Sequence, residues 1–296
     1  MTAAAFEKWV PKIEASLGEV LPAVAEEPSK LHEAMRYSIF AGGKRIRPVL
    51  AMTAYEACGG NEPEVVLPAA AALELLHTYS LIHDDLPAMD NDDLRRGKPT
   101  SHVVFGEAVA ILAGDALLTL GAELLMTRPK GAAYLAKRAK ASRVVFKALG
   151  TRGMAGGQVL DLEAEGAEQV KADDLAKIHR MKTGVFLEAC LVCGGIWAGA
   201  RAETLAALKR YGAALGMAFQ VVDDILDATQ TKETIGKTPG KDEKSGKATF
   251  VKVWGVAGAR RHADRLLSEA LRALSPVGER SLALRELAHF VVDRDR

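Results

Sequence analysis

Residues 68–85 carry apolar side chains around the whole circumference of a helix, and they run straight into five aspartates within ten residues: Asp84, Asp85, Asp90, Asp92 and Asp93. A helix that is apolar on all sides has to be buried. The apolar positions are Ala69, Ala70, Ala71, Ala72, Leu73, Leu75, Leu76, Leu81 and Ile82. His77, Ser80 and Asp84 interrupt them at i, i+3 and i+7, so a polar stripe lies on one face. Such a stripe needs partners or a cavity. For His77 alone, a hydrogen-bonded core histidine is an equal reading. Pro87 disfavours helical geometry at Leu86, which sets Asp84 near a helix end and makes Asp90 reach back from a loop. Five neighbouring carboxylates repel one another and favour cations among them. Oxygen-only ligands suit hard divalent ions, Mg²⁺ above all, which binds one or two carboxylates plus substrate phosphates. Arg95 and Arg96 follow at once, a pairing that suits a polyphosphate touching metal on one side and guanidinium on the other. An EF-hand loop starting at Asp90 is excluded, because its sixth-position glycine and closing glutamate are absent.

A second acidic cluster, Gln220 to Asp227, lies far downstream. Asp223 and Asp227 are four apart and share a helical face. Met217, Phe219, Val221, Val222, Ile225 and Leu226 surround them, which favours a cavity wall over a solvated face. Two acidic faces in one chain predict one cavity with metal on both walls.

Elsewhere alanine and leucine recur at helical spacing, and strand signals are nearly absent. The expected fold is all-α, one domain over 1–296 with roughly a dozen helices around a large central cavity. Helices are expected over Ala4–Leu17, from a Ser29 cap to about Phe40, Pro68–Asp85, Gly106–Met126, Ala132–Leu149 and Leu205–Asp227, with two amphipathic helices at the end. Ala41-Gly42-Gly43-Lys44-Arg45-Ile46-Arg47 puts three cations after two glycines at a helix start, a weak anion-cradle signal. Gly156-Gly157-Gln158 suggests close helix approach or room for a ligand. Lys182 and Thr183 fall inside another apolar segment. Residues 229–249 hold lysines and glycines and read as a lid or an ordinary solvated loop.

The chain is 49% hydrophobic and 26% charged with net charge +1, which gives no bulk electrostatic pull toward nucleic acid. No uncharged apolar run of about 18 residues, and no basic-then-apolar N-terminus, points to a membrane span or signal peptide. Three cysteines, Cys58, Cys190 and Cys193, fit a reducing, cytoplasmic setting and core packing better than zinc.

In combination these motifs are highly specific. The sequence resembles the short-chain trans-isoprenyl diphosphate synthases, with its motifs most like the bacterial farnesyl diphosphate type. The likeness spans nearly the whole chain: Gly-Gly-Lys-Arg-Ile-Arg-Pro at 42–48, aspartates at 84–90 with four residues between Asp85 and Asp90, Arg95-Arg96, Gly-Gly-Gln at 156–158, Lys182-Thr183, and Gln220 to Asp227. No motif position departs. The resemblance implies that Asp84, Asp90 and Asp223 bind about three Mg²⁺ per active site, with Asp85 and Asp227 in support and Mn²⁺ as an alternative. It implies that Arg95, Lys182, Lys237 and Lys247 hold the allylic diphosphate, while Lys44, Arg47, His77 and Arg96 hold isopentenyl diphosphate. Gln220 and Thr183 would flank the reacting carbon. The implied reaction joins isopentenyl diphosphate to dimethylallyl and then geranyl diphosphate, giving (2E,6E)-farnesyl diphosphate. It proceeds by ionisation, carbocation attack and proton loss. A homodimer is implied as well.

In the family a bulky residue five before the first aspartate floors the product pocket; here it is Tyr79, with Ser80 above. Helical phase alone points to Ser80. The alternatives are a geranyl or geranylgeranyl diphosphate synthase, or a non-catalytic subunit of a heteromeric synthase. The second is disfavoured because both acidic clusters and the basic residues are present. A terpene cyclase would not need the second diphosphate site at Lys44 and Arg47.

Overall fold

The computed structural model describes residues 4–165, 170–229 and 249–293. Its architecture is all-α, as expected. In chain order the helices are α1 (Ala4–Val20), α2 (Ser29–Ile39), α3 (Ile46–Ala57), α4 (Pro63–Asp84), α5 (Ser101–Phe105), α6 (Glu107–Thr127), α7 (Leu135–Leu149), α8 (Met154–Ala164), α9 (Ala172–His179), α10 (Val185–Trp197), α11 (Ala202–Thr229), α12 (Phe250–Ala273) and α13 (Leu282–Val292). A π-helical turn, Arg180–Gly184, joins α9 to α10.

α4 is the axis of the bundle. Val66, Ala69 to Leu73, Leu75 and Leu76 are wholly buried, as their all-round apolarity requires. The helix begins at Pro63, earlier than expected, because proline is tolerated in the first turn, and it runs on through Pro68 in the second. α6 lies along α4. A Cβ at Gly121 of α6 would sit 2.8 Å from Leu76 Cγ, so glycine lets the two helices approach until Leu76 seats on the α6 backbone. Higher up, Gly114 makes the same kind of room for the His83 ring. Both α4 and α6 are long and apolar enough to cross a membrane by length and composition, but α4 is largely enclosed by its neighbours here.

Ser29 does not cap α2. Pro28 holds the N-cap position, and Ser29 donates its own amide to Glu27 Oε2 at 3.2 Å. The helix expected from Gly106 begins one residue later, at Glu107: Gly106 has φ 86° and separates α5 from α6. One small sheet exists that strand patterning could not reveal. Leu94–Arg95 pairs antiparallel with Lys98–Pro99 across a tight turn at Arg96 (φ 55°) and Gly97 (φ 75°). Two successive left-handed residues are what a two-residue hairpin demands. Cys190 and Cys193 are free and fully buried, and burial raises the Cys193 thiol to about 12, in keeping with core packing.

Candidate active site

Asp84 ends α4 and Asp85 caps it. The loop then folds back on the helix end. The Asp90 amide donates to Asp84 O at 2.8 Å, and the Asp92 amide donates to Asp85 O at 3.1 Å. Asn91 takes the left-handed φ of 49° that this reversal needs. Asp90 therefore does reach back beside Asp84. Burial raises the Asp84 carboxyl to about 6; Lys182 and Arg95 pull it down, while Asp90 and Asp85 push it up. Asp85 is buried and clamped by Arg95, whose Nε lies 2.8 Å from both carboxylate oxygens and whose Nη2 lies 2.5 Å from Oδ1. The hairpin carrying Arg95 is thus tied to the end of α4.

Four arginines gather on the neighbouring wall, and they divide the work. Arg45 is locked into the framework: it donates to Glu74 (2.8 Å), Glu14 (2.6 Å) and Ile39 O (2.7 Å). It is therefore one cation of the 44–47 run that serves structure, joining α1, α3 and α4. Arg47 turns inward. Its Nη1 donates to His77 Nε2 at 3.0 Å, and its guanidinium lies 5.4 Å over the Phe186 ring. Burial first, then Arg47, Arg96, Arg95 and Arg45, holds the His77 pKa well below its usual value. His77 is therefore neutral and accepts from Arg47, leaving Nδ1 as its donor. Arg47 Nε and His77 Nδ1 are both buried with no hydrogen bond among the described residues. Arg96 donates to Gly42 O, and its guanidinium occupies the space that a side chain at Gly43 would need. Lys44 is exposed at the mouth.

The opposite wall is the π-turn with α8 and α11. Lys182 pairs with Asp161 of α8 at 2.6 Å. A Cβ at Gly157 would overlap the Lys182 amide nitrogen, so the Gly-Gly-Gln stretch serves close approach of α8 to the π-turn. Gln158 is buried with neither amide atom hydrogen-bonded among the described residues. Thr183 is half-buried next to Lys182. Gln220 Oε1 meets His179 Nδ1 at 3.1 Å, and its Nε2 lies 3.4 Å from Asp223 Oδ2. Asp223 and Asp227 are both half-buried on α11, while the intervening Asp224 accepts the Phe250 amide at 2.7 Å and fastens α12. The walls share one electrostatic field: Lys182 acts on Asp84, and Asp223 acts on Arg47.

Asp161 and His179 stand out in no sequence pattern, and Arg45, which the sequence groups with Lys44 and Arg47 as a cradle cation, serves the framework instead. Their roles depend on partners 21, 41 and 29 positions away respectively, and no local pattern marks those pairings. Tyr79 packs edge-on against His83 with ring centroids 5.9 Å apart, on the α6 side of α4, and Ser80 donates to His77 O at 2.8 Å. Lys237, Lys247 and nearly all of the 229–249 segment lie outside the described residues. No three of the described His, Cys, Asp and Glu side chains form a metal cage by themselves.

The profile of the polyprenyl synthetase family matches residues 28–281. This chain belongs to that family. As a polyprenyl synthetase it is a short-chain prenyltransferase. It is 46% identical to a dimethylallyltranstransferase of Fischerella ambigua over 286 residues, covering 96% of this chain and 81% of that protein. It is 43% identical to a geranylgeranyl diphosphate synthase of Cyanophora paradoxa over 284 residues, 96% of this chain and 93% of the other. Among solved structures, an FPP/GFPP synthase from Zymomonas mobilis superposes with a TM-score of 0.86 at 36% identity, covering 97% of both chains.

Proposed function

We propose that this polyprenyl synthetase condenses isopentenyl diphosphate with dimethylallyl diphosphate and then geranyl diphosphate, and releases (2E,6E)-farnesyl diphosphate. The observation that carries this reading is two kinds of group gathered along one helix: buried donors without partners on His77 and on Arg47 beside it, below crowded carboxylates at Asp84 and Asp90. An unpaired buried donor is costly, and a diphosphate relieves it. Isopentenyl diphosphate is assigned to Lys44, Arg47, His77 and Arg96. The allylic diphosphate is assigned to the side of Lys182 and Arg95, with Thr183 and Gln220 beside the reacting carbon.

The carboxylates fit a hard cation. Burial and two neighbouring acids already resist the charge of Asp84, and a divalent ion removes both penalties. Mg²⁺ is assigned to Asp84, Asp90 and Asp223, with Asp85 and Asp227 behind them. When bound, it supplies positive charge to the departing diphosphate. Lys182 adds a fixed cation where that charge develops, and Asp161 orients it. Apolar walls such as Phe186 exclude the water that would capture an allylic cation.

Product length is assigned to Tyr79. Its ring is braced by His83, and at about 1.5 Å rise per residue it lies roughly 7 Å below Asp84. The geranylgeranyl synthases among the relatives favour a second reading, a C20 product. Incubation with labelled isopentenyl diphosphate, dimethylallyl diphosphate and Mg²⁺, with an EDTA control, decides between them. A metal-dependent C15 alcohol after dephosphorylation is expected. A C20 product would transfer the assignment to the second reading, and no elongation would sink both. Tyr79→Ala is expected to lengthen the products; an unchanged spectrum removes Tyr79 from this role.

A further inference from the structure

On the far side of the π-turn from the aspartates, an open cavity of about 610 Å³ lies between the turn, α11 and α12. Arg180, Arg210 and Arg272 stand at its exposed rim, and Met217 and the buried Leu266 form its floor. No hydrogen bond or ion pair joins any of the three guanidiniums to another group among the described residues. The single acid on the rim, Glu269, is drawn toward Arg265 at 3.8 Å. Arg180 shares the field of Glu188, a carboxylate buried on α10. Three like charges around an apolar floor suit a multiply charged anion with a hydrocarbon tail. Guanidinium forks take phosphate oxygens, and Met217 and Leu266 take the chain.

We propose that this cavity is a second, metal-independent binding site for a prenyl diphosphate, where it lowers turnover. The identity of the ligand rests on the function proposed above. The coupling rests on the turn itself. Arg180 and Lys182 belong to the same five-residue π-turn, with Lys182 directed to Asp161 on the catalytic side. Gly184, the last residue of the turn, abuts Gly216 of α11 so closely that a Cβ at Gly216 would lie 2.8 Å from Gly184 Cα. An anion that ties Arg180 to Arg210 and Arg272 fixes the turn against α11 and α12, where Gly184 and Gly216 already touch. With the turn fixed, Lys182 stays paired with Asp161 and is not released to an incoming diphosphate.

Calorimetric titration of the full chain in EDTA with farnesyl thiolodiphosphate, an unreactive mimic, tests the site. One binding event per chain is expected. It should survive in Asp84→Asn/Asp223→Asn and weaken at least tenfold in Arg210→Gln/Arg272→Gln. Inorganic diphosphate should bind more weakly than the mimic. With Mg²⁺ and substrates, the mimic should also inhibit the wild type in part without competing with allylic substrate. That component should vanish in the arginine variant, whose uninhibited rate stays at the wild-type level. Loss of EDTA-resistant binding in the aspartate variant with retention in the arginine variant would overturn the proposal, as would equal affinity for inorganic diphosphate. An elongation assay that fails while this binding holds would sink the proposed activity and leave the anion site standing.

Discussion

Asp84 holds its charge at a cost to the metal-free fold. Its folded pKa of about 6 lies above the ordinary 3.8. A group raised in this way is destabilising once ionised: the penalty is absent below the unfolded value, grows between about 4 and 6, and is complete above that. Asp84→Asn should therefore stabilise the metal-free protein at pH 8, by on the order of 1–3 kcal/mol. The gain should disappear by pH 4. Thermal melts in EDTA at the two pH values check this, and an equal gain at both would show that the mutation acts through something other than ionisation. The adjacent Asp85 presents the reverse situation, since its charge is already matched by Arg95. Two neighbouring aspartates thus differ in readiness for a cation, and only the folded hairpin distinguishes them. Sequence placed both at the right helix end, through the proline at 87. It could not assign one to an arginine clamp, because the clamp depends on a two-residue turn at Arg96 and Gly97 that no strand pattern announces.

At the scale of elements, the long helices were legible because their periodicity is carried by buried side chains. The π-turn was not, because its extra residue changes backbone pairing without changing composition. It nevertheless decides where Lys182 points. Gly157 is the other half of that arrangement, since α8 reaches the turn only where there is no side chain. Gly157→Ala should cost about 1–3 kcal/mol, the range for overpacking a tight contact. It should also lower kcat more than it raises KM for isopentenyl diphosphate, because the displaced group is Lys182 and not the Arg47 wall. A melt and steady-state kinetics measure the two effects; a KM change alone would mean that the turn does not move. The run at 44–47 shows the same boundary of legibility. Lys44, Arg45 and Arg47 look alike in sequence, yet remote Glu14 and Glu74 capture Arg45 for the framework.

For the molecule as a whole, an apolar face lies open on α5 and α6 among the described residues. Val103 and Val104 of α5, with Ile111, Leu112 and Met126 of α6, are exposed. An apolar row of this kind on a helix facing outward suits a second copy of the chain, in line with the homodimer inferred from the resemblance. Light scattering coupled to size exclusion should give a dimer for the wild type, and Leu112→Glu should shift it toward monomer. A monomeric wild type would remove the dimer.

The seat of Leu76 on Gly121 has a consequence for how product size can evolve. On the product-length assignment proposed above, α4 is a graduated rod, and one of its turns, about 5.4 Å, is close to the length of one five-carbon unit. With Tyr79 as the first stop, Leu76 against the α6 backbone is the next one down. Removing the upper stop should therefore advance the product by a single increment and not open an unlimited tunnel, so lengths along this lineage would change in discrete steps.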